Sequence, residues 1–139
     1  MKVREIMTGS VECIPPDTTI SKAAEKMRDM DIGFLPICEN DRLVGAVTDR
    51  DITIRSVAQG RDPRLAPVKD IMSLQAVYCY EDDEVQNVAR KMQDREVRRM
   101  LILDHQKKLV GIVSIGDIAR ASGDQKLVGE TLGHIAEAA

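Results

Sequence analysis

Aromatic side chains are nearly missing from this chain. Its 139 residues hold no tryptophan, two tyrosines and one phenylalanine. A core must therefore be assembled from Val, Ile, Leu, Ala and Met, and 43% apolar residues are enough to build one. Few rings also argue against a surface that stacks single-stranded nucleic acid, which needs aromatics beside abundant basic charge. Charge of one sign is missing too. There are 20 basic and 23 acidic residues, a formal net of −3. That balance disfavours a general nucleic-acid binder or a polybasic membrane binder. No apolar run approaches the roughly 20 residues of a membrane helix. The opening "MKVREIMTGS" lacks the apolar centre of a secretory signal. A cytoplasmic location, with no membrane and no nucleic acid as partner, is the expectation. Cysteine is sparse: Cys13, Cys38 and Cys79 are odd in number and form no C-x-x-C pair. Buried apolar thiols are expected.

What the chain does have is repetition. "LVGAVTDRDI" (Leu43 to Ile52) returns as "LVGIVSIGDI" (Leu109 to Ile118). "VREIM" (Val3–Met7) returns as "VKDIM" (Val68–Met72), and "AAEKMRDMDI" (Ala23–Ile32) falls on "VARKMQDREV" (Val88–Val97). The order holds through a whole unit with one inserted residue, so the chain is two copies of one unit plus a tail. The division expected is residues 1–60, a linker at 61–67 within the stretch Gly60–Pro67 that carries one Gly and two Pro, residues 68–123, and a tail at 124–139 forming a short helix.

Each copy reads alike. Val11–Ile14 and Ala76–Tyr80 are short apolar runs and expected strands. Ile20, Ala23, Ala24, Met27 and Met30 recur at helical spacing behind Thr18 or Thr19 as a cap, and Val85, Val88, Ala89 and Met92 repeat the pattern. Two strands around a polar turn follow ("FLPIC" and "LVGAVT", then "MLILD" and "LVGIVS"). Pro36, inside the first of these, marks an edge or a bulge. A second helix starts at once. The order β-α-β-β-α, written twice, gives an α/β (α+β) fold. A unit of about 50 residues buries too little surface alone, so the copies are expected to pack as one pseudo-two-fold body.

Two readings fit the repeated hydroxyl and acid. Thr48 with Asp51, and Ser114 with Asp117, match the capping-box pattern, in which the hydroxyl accepts from a first-turn amide and the acid reaches back. Gly45 and Gly111 then serve close packing alone. The other reading is a ligand site. A strand-to-helix junction presents free amides to an anion, a short hydroxyl bonds phosphate or sugar, and a carboxylate accepts both hydroxyls of a ribose. A cleft between two such copies is a usual place for a ligand.

The "VREIM" opening, the "G-h-V-[ST]-x-x-D-I" close and the two units between resemble a tandem pair of cystathionine-β-synthase (CBS) domains, a Bateman module. The resemblance runs from about Val3 to Ser122, and is closest to small stand-alone bacterial two-CBS proteins of the hypoxic-response type. It implies a non-catalytic regulatory module binding AMP, ADP, ATP, NAD or S-adenosylmethionine between the repeats and signalling by a change in packing. It implies one site at Thr48 and Asp51, with adenine against Cys13, Ile14 and Pro15 and against Gly33, Phe34, Leu35 and Pro36. The second site has Ser114 and Asp117, with Tyr78, Cys79, Tyr80, Met100 and Leu101. Arg50, Arg98 and Arg99 are the expected phosphate contacts. Arg98–Arg99 stands where the first copy has Gly33–Phe34, and Ile115–Gly116 where it has Asp49–Arg50, so the sites are expected to differ in affinity or phosphate preference. A homodimer and a separate, unknown regulated protein follow from the same resemblance.

Other chemistry finds little support in the residues. His105 and His134 have no partner at ligand spacing, so no metal is expected. There is no G-x-x-x-x-G-K-[ST], G-x-S-x-G or H-E-x-x-H, so no enzyme is expected. Two alternatives to ligand sensing stay open. One is a dimeric interaction or stress-response scaffold with empty clefts. The other is a redox switch through Cys13 and Cys38, which come within disulfide reach if their strands are neighbours.

Overall fold

The computed structural model describes residues 1–74 and 76–138. Gln75, inside the expected second repeat, and Ala139, the last residue of the expected tail, lie outside the described residues. The described elements are α1 (Ile20–Met30), β1 (Phe34–Glu39), β2 (Arg42–Thr48), α2 (Asp49–Asp51), β3 (Tyr78–Tyr80), α3 (Val85–Arg95), β4 (Arg99–Leu103), β5 (Leu109–Ser114), α4 (Ile115–Ser122) and α5 (Gln125–Ala138). Short 3-10 turns cover Val3–Glu5 and Val68–Asp70, and α2 widens into a π-helical stretch over Ile52–Val57. This is the mixed helix-and-strand order that the sequence implies.

The chain divides into two compact units that cut across the repeats. Glu12–Ala76 is one unit; Met1–Val11 together with Val77–Ala139 is the other. Each sheet therefore works with the opening motif of the other copy. Thr8 and Ile112 exchange two backbone hydrogen bonds at 2.9 and 3.1 Å, and Ser73 and Ala46 exchange two at 2.9 and 3.0 Å. The same segments close the helix starts. The first free amide of α1, Ile20 N–H, donates to the Ala66 carbonyl, and its counterpart Val85 N–H donates to the Met1 carbonyl, both at 3.0 Å. These are orphan donors that a helix must satisfy from outside itself.

Each unit has its own core. Ile14, Ile20, Ala23, Met27, Leu35, Ile37, Val47, Val68 and Ile71 fill one. Val3, Cys79, Val85, Val88, Ala89, Met92, Met100, Ile102, Val113 and Ile118 fill the other. Val3 and Val68 are fully buried, so each exchanged segment plugs the core it joins.

Three local outcomes differ from the sequence reading. Val11–Ile14 is no strand: only Ile14 bridges, parallel to Ile37. In the second copy, β3 pairs with β4 over three residues, and Glu81 N–H extends the ladder to the Leu103 carbonyl. Pro16 stands where Glu81 does and has no N–H to give, and Pro36 lacks one on the facing edge. Second, "DRDITIRSVAQG" is helical only to Val57 and changes pitch at Ile52. Third, the tail helix α5 is 14 residues long. Its Gly129 and Gly133 face open space, so both are tolerated. Leu127 and Val128 pack on the core, Ile135 is buried, and Gln93 Nε2 donates to Thr131 Oγ1 at 2.8 Å. Pro36 does sit in a bulged strand: the β1–β2 register shifts between Ile37 and Cys38.

Candidate functional site

The two strand-to-helix junctions are built from the same bonds. At the end of β2, Thr48 Oγ1 accepts from Asp51 N–H at 3.1 Å, and Asp51 Oδ2 accepts from Thr48 N–H at 2.9 Å. At the end of β5, Ser114 Oγ accepts from Asp117 N–H at 3.1 Å, and Asp117 Oδ2 accepts from Ser114 N–H at 2.8 Å. Both are reciprocal capping boxes. The capping reading is thus realised in full, and each carboxylate has one oxygen committed to the backbone.

The other oxygen of each carboxylate points away from the box. Asp51 is 18% exposed and its Oδ1 lies 3.8 Å from Arg55 Nε; Asp117 is 20% exposed and its Oδ1 accepts from Arg120 Nη2 at 2.5 Å. The outer oxygen of each carboxylate thus lies at the rim of its junction with an exposed arginine as its partner, which a ligand hydroxyl would share or displace. Both arginines were missed in the sequence, although they stand one helical turn beyond their acids, the spacing at which side chains meet.

Most of the remaining expected residues lie on or beside the strands that lead to these junctions within their own units; Tyr80, opposite Leu103, lies at the other end of β4. In the first, Phe34 lies opposite Thr48, Leu35 opposite Val47 and Pro36 opposite Ala46. Ile14 N–H donates to the Pro36 carbonyl at 3.1 Å, which brings Cys13, Ile14 and Pro15 beside β1. Ile14, Leu35 and Pro36 are buried; Cys13, Gly33 and Phe34 are half-buried. Asp49 N–H donates to the Gly33 carbonyl at 2.9 Å, and Arg50 is exposed, its amide on Asp49 Oδ1 at 2.8 Å. In the second, Arg99 lies opposite Ser114, Met100 opposite Val113 and Leu101 opposite Ile112, while Tyr78 pairs with Leu101 and Cys79 with Ile102. Ile115 N–H donates to the Arg98 carbonyl at 3.0 Å. Cys79, Met100 and Leu101 are buried; Arg98 and Arg99 are exposed.

Lys91, not singled out in the sequence, joins the second group. Its Nζ donates to the Tyr78 carbonyl and stands 5.3 Å from the centre of the Tyr78 ring. Tyr78 meets Tyr80 edge-on with centroids 5.8 Å apart, and Tyr80 stacks on His105 at 4.9 Å. His105 Nε2 is 2.9 Å from Asp82 Oδ1, and that hydrogen bond holds the imidazole above its ordinary value. The first copy has no such row, because Cys13 stands where Tyr78 does.

The structure holds Cys13, Cys38 and Cys79 as free thiols. Cys13 and Cys38 share a hydrogen bond, and burial first, that bond second, push the Cys38 thiol up to about 12. Burial likewise pushes Cys79 up to about 11, against the pull of Lys91. A buried thiol at such values is protonated at neutral pH and a poor nucleophile.

A CBS domain model matches residues 3–57 and again 68–124. Hypoxic response protein 1 of Mycobacterium tuberculosis is 38% identical over 126 residues, which cover 90% of this chain and 87% of that protein. Among solved structures, a Hypoxic Response Protein I crystal structure with two coordinated zinc ions is 39% identical, with a TM-score of 0.79 over 86% of this chain and 98% of that one. The CBS domain pair of protein MJ0100, solved with 5′-methylthioadenosine and S-adenosyl-L-methionine, is 28% identical, with a TM-score of 0.75 over 88% of this chain and 96% of that one. The expectation that no metal is involved is overturned by the zinc-bound relative. Spacing along one sequence reveals only ligand sets that close locally, and it gave no basis for excluding others. Among the described residues, no three His, Cys, Asp or Glu side chains converge, so these residues do not by themselves form a zinc-binding group. With both repeats matched and relatives aligned over nearly their full length, this chain belongs to the CBS domain family.

Proposed function

We propose that the chain is a non-catalytic regulatory module whose two junctions each bind an adenosine-containing ligand. The observation that carries this is the paired geometry of Asp51 and Asp117. Each anchors one oxygen in a capping box and turns the other outward, beside apolar and backbone surface from the two neighbouring strands. A carboxylate fixed in that way is pre-organised to accept a ribose diol, and adjacent half-buried apolar surface suits adenine. The adenosine-type ligands in the MJ0100 pair support the same reading. Regulation then needs a ligand that binds one arrangement of the protein better than another, since equal affinity shifts nothing. The module works as a homodimer in the cytoplasm.

The test is calorimetry of the full chain with AMP, ATP, NAD and S-adenosylmethionine, beside Asp51→Ala and Asp117→Ala. Each substitution is expected to remove one site and leave the other. No heat with any of the four ligands would reject the sensor in favour of a scaffold. Zinc belongs in the same titration, because a 39%-identical solved relative coordinates it.

A redox reading is favoured by the backbone, where Cys38 N–H donates to the carbonyl of Ile14 at 3.0 Å and so sets the neighbouring Cys13 close to Cys38. Two thiols in contact can be oxidised to a disulfide by an exogenous oxidant, losing two protons and two electrons. Mass measurement on protein kept from air, then treated with oxidised glutathione, is expected to show that two-proton loss between Cys13 and Cys38. Retention of both thiols at high oxidant rules the switch out.

A further inference from the structure

We propose that the two sites are divided by ligand charge: the Ser114–Asp117 site takes a phosphorylated adenosine compound, and the Thr48–Asp51 site takes one without phosphate. This rests on the reading of both junctions as adenosine sites, and adds which chemistry each selects.

The two junctions make the same backbone and capping hydrogen bonds, and they differ in the side chains beside them. The carbonyl before β1 belongs to Gly33 and accepts from Asp49; the carbonyl before β4 belongs to Arg98 and accepts from Ile115. Residues directly opposite in an antiparallel pair present their side chains on one face. Phe34, opposite Thr48, therefore lies on the face of the first hydroxyl, and Arg99, opposite Ser114, on the face of the second. One site shows a phenyl ring there and the other a guanidinium.

Asp49 sharpens the contrast. Its carboxylate lies so close over Gly33 that a Cβ at that glycine would sit 2.7 Å from Asp49 Oδ2. Its Oδ1 is tied by Arg50 N–H at 2.8 Å, which holds the charge at the junction. A phosphate approaching Thr48 meets this fixed negative charge. At the second junction the same place is Ile115, with no charge, and the glycine is replaced by Arg98. Arg98 and Arg99 are both exposed and, among the described residues, neither has an ion-pair partner. Unpaired guanidiniums beside a hydroxyl are the arrangement that takes phosphate oxygens two at a time. Arg120, on the outer oxygen of Asp117, adds a third positive group. The first site sets Asp49 and Asp51 against Arg50, exposed and with no ion-pair partner among the described residues, and Arg55, which lies 3.8 Å from Asp51, so its formal charges balance and it tolerates a neutral or cationic ligand.

Titration of the full chain with adenosine, AMP and ATP, one site at a time, decides this. Asp51→Ala leaves the second site, which is expected to bind ATP at least tenfold more tightly than adenosine, with the preference shrinking as salt rises. Asp117→Ala leaves the first, expected to show no preference for ATP. Adding Arg99→Phe to the Asp51→Ala chain should abolish the ATP preference; adding Asp49→Ile to the Asp117→Ala chain should strengthen ATP binding. Both substitutions install the residue that the other repeat already carries. If alanine unfolds a junction, Asp51→Asn and Asp117→Asn keep an oxygen for the capping amide. Equal ATP-to-adenosine ratios at the two sites, a reversed ratio, or a ratio unmoved by Arg99→Phe would overturn the proposal and leave adenosine binding intact. No binding of any of the three by either variant would overturn the adenosine reading and this division together.

Discussion

Gly45 and Gly111 hold matching places in the two repeats, and a methyl group added at each would meet a backbone carbonyl and a methionine side chain, but in opposite order of closeness. At Gly45 it would lie 2.7 Å from the Ser73 carbonyl oxygen, which accepts from Ala46 N–H while Ser73 N–H donates back to the Ala46 carbonyl. At Gly111 it would press on the Met7 side chain, with the Thr8 carbonyl at 3.1 Å. A thioether can swing aside; a paired backbone cannot without breaking the bridge. Gly45→Ala is therefore expected to cost about 1–3 kcal/mol, the range for overpacking a tight contact, and Gly111→Ala clearly less. Urea unfolding of the two variants measures both, and equal losses would show that Met7 is as immobile as the Ser73 backbone. The sequence placed both glycines at close contacts and could not say against what, since the partner lies far away along the chain.

Among the elements, those with a strong internal pattern were legible. α1 and α3 follow their apolar spacing, and Thr19 accepts from Lys22 N–H as a cap at 3.3 Å. The hairpins β1–β2 and β4–β5 follow alternating apolar runs around polar turns. Elements that depend on a distant neighbour were not legible. Val11–Ile14 has the composition of a strand, but two prolines on different segments withhold the N–H groups that a ladder needs. The π stretch over Ile52–Val57 has no signature in residue type. Helix α5 carries two glycines that lower its intrinsic propensity by roughly 1 kcal/mol each. Burial of Thr131 and Ile135 against its own unit outweighs them.

For the molecule as a whole, the exchange of opening segments ties the start of the chain to its second repeat. Met1–Val11 supplies Val3 to one core, a bridge to β5 and the carbonyl that closes α3. Deleting residues 1–11 should damage the unit containing Val77–Ala139, several kcal/mol of packing and pairing being lost. The Glu12–Ala76 unit keeps its own segment, Val68–Ser73, and should hold. Both tyrosines lie in the first of these units and Phe34 in the other, so the tyrosine band of the near-ultraviolet circular dichroism spectrum reports on the first alone. An unchanged tyrosine signal after the deletion would show that the segment is dispensable.

By itself the sequence determined the duplication, most helices and both hairpins, the family, and the hydroxyl and acid that meet at each junction. These are carried by short-range patterns: periodicity, capping residues and a motif written twice. Only the tertiary structure decided which copy's opening segment completes which sheet, that each aspartate is half committed to its own cap, and that Asp49 lies over Gly33 while Arg98 and Arg99 have no ion-pair partner among the described residues. Those outcomes turn on distances between groups far apart in the chain. Such distances are set by packing and hydrogen-bond pairing across the sheets, which linear spacing does not encode.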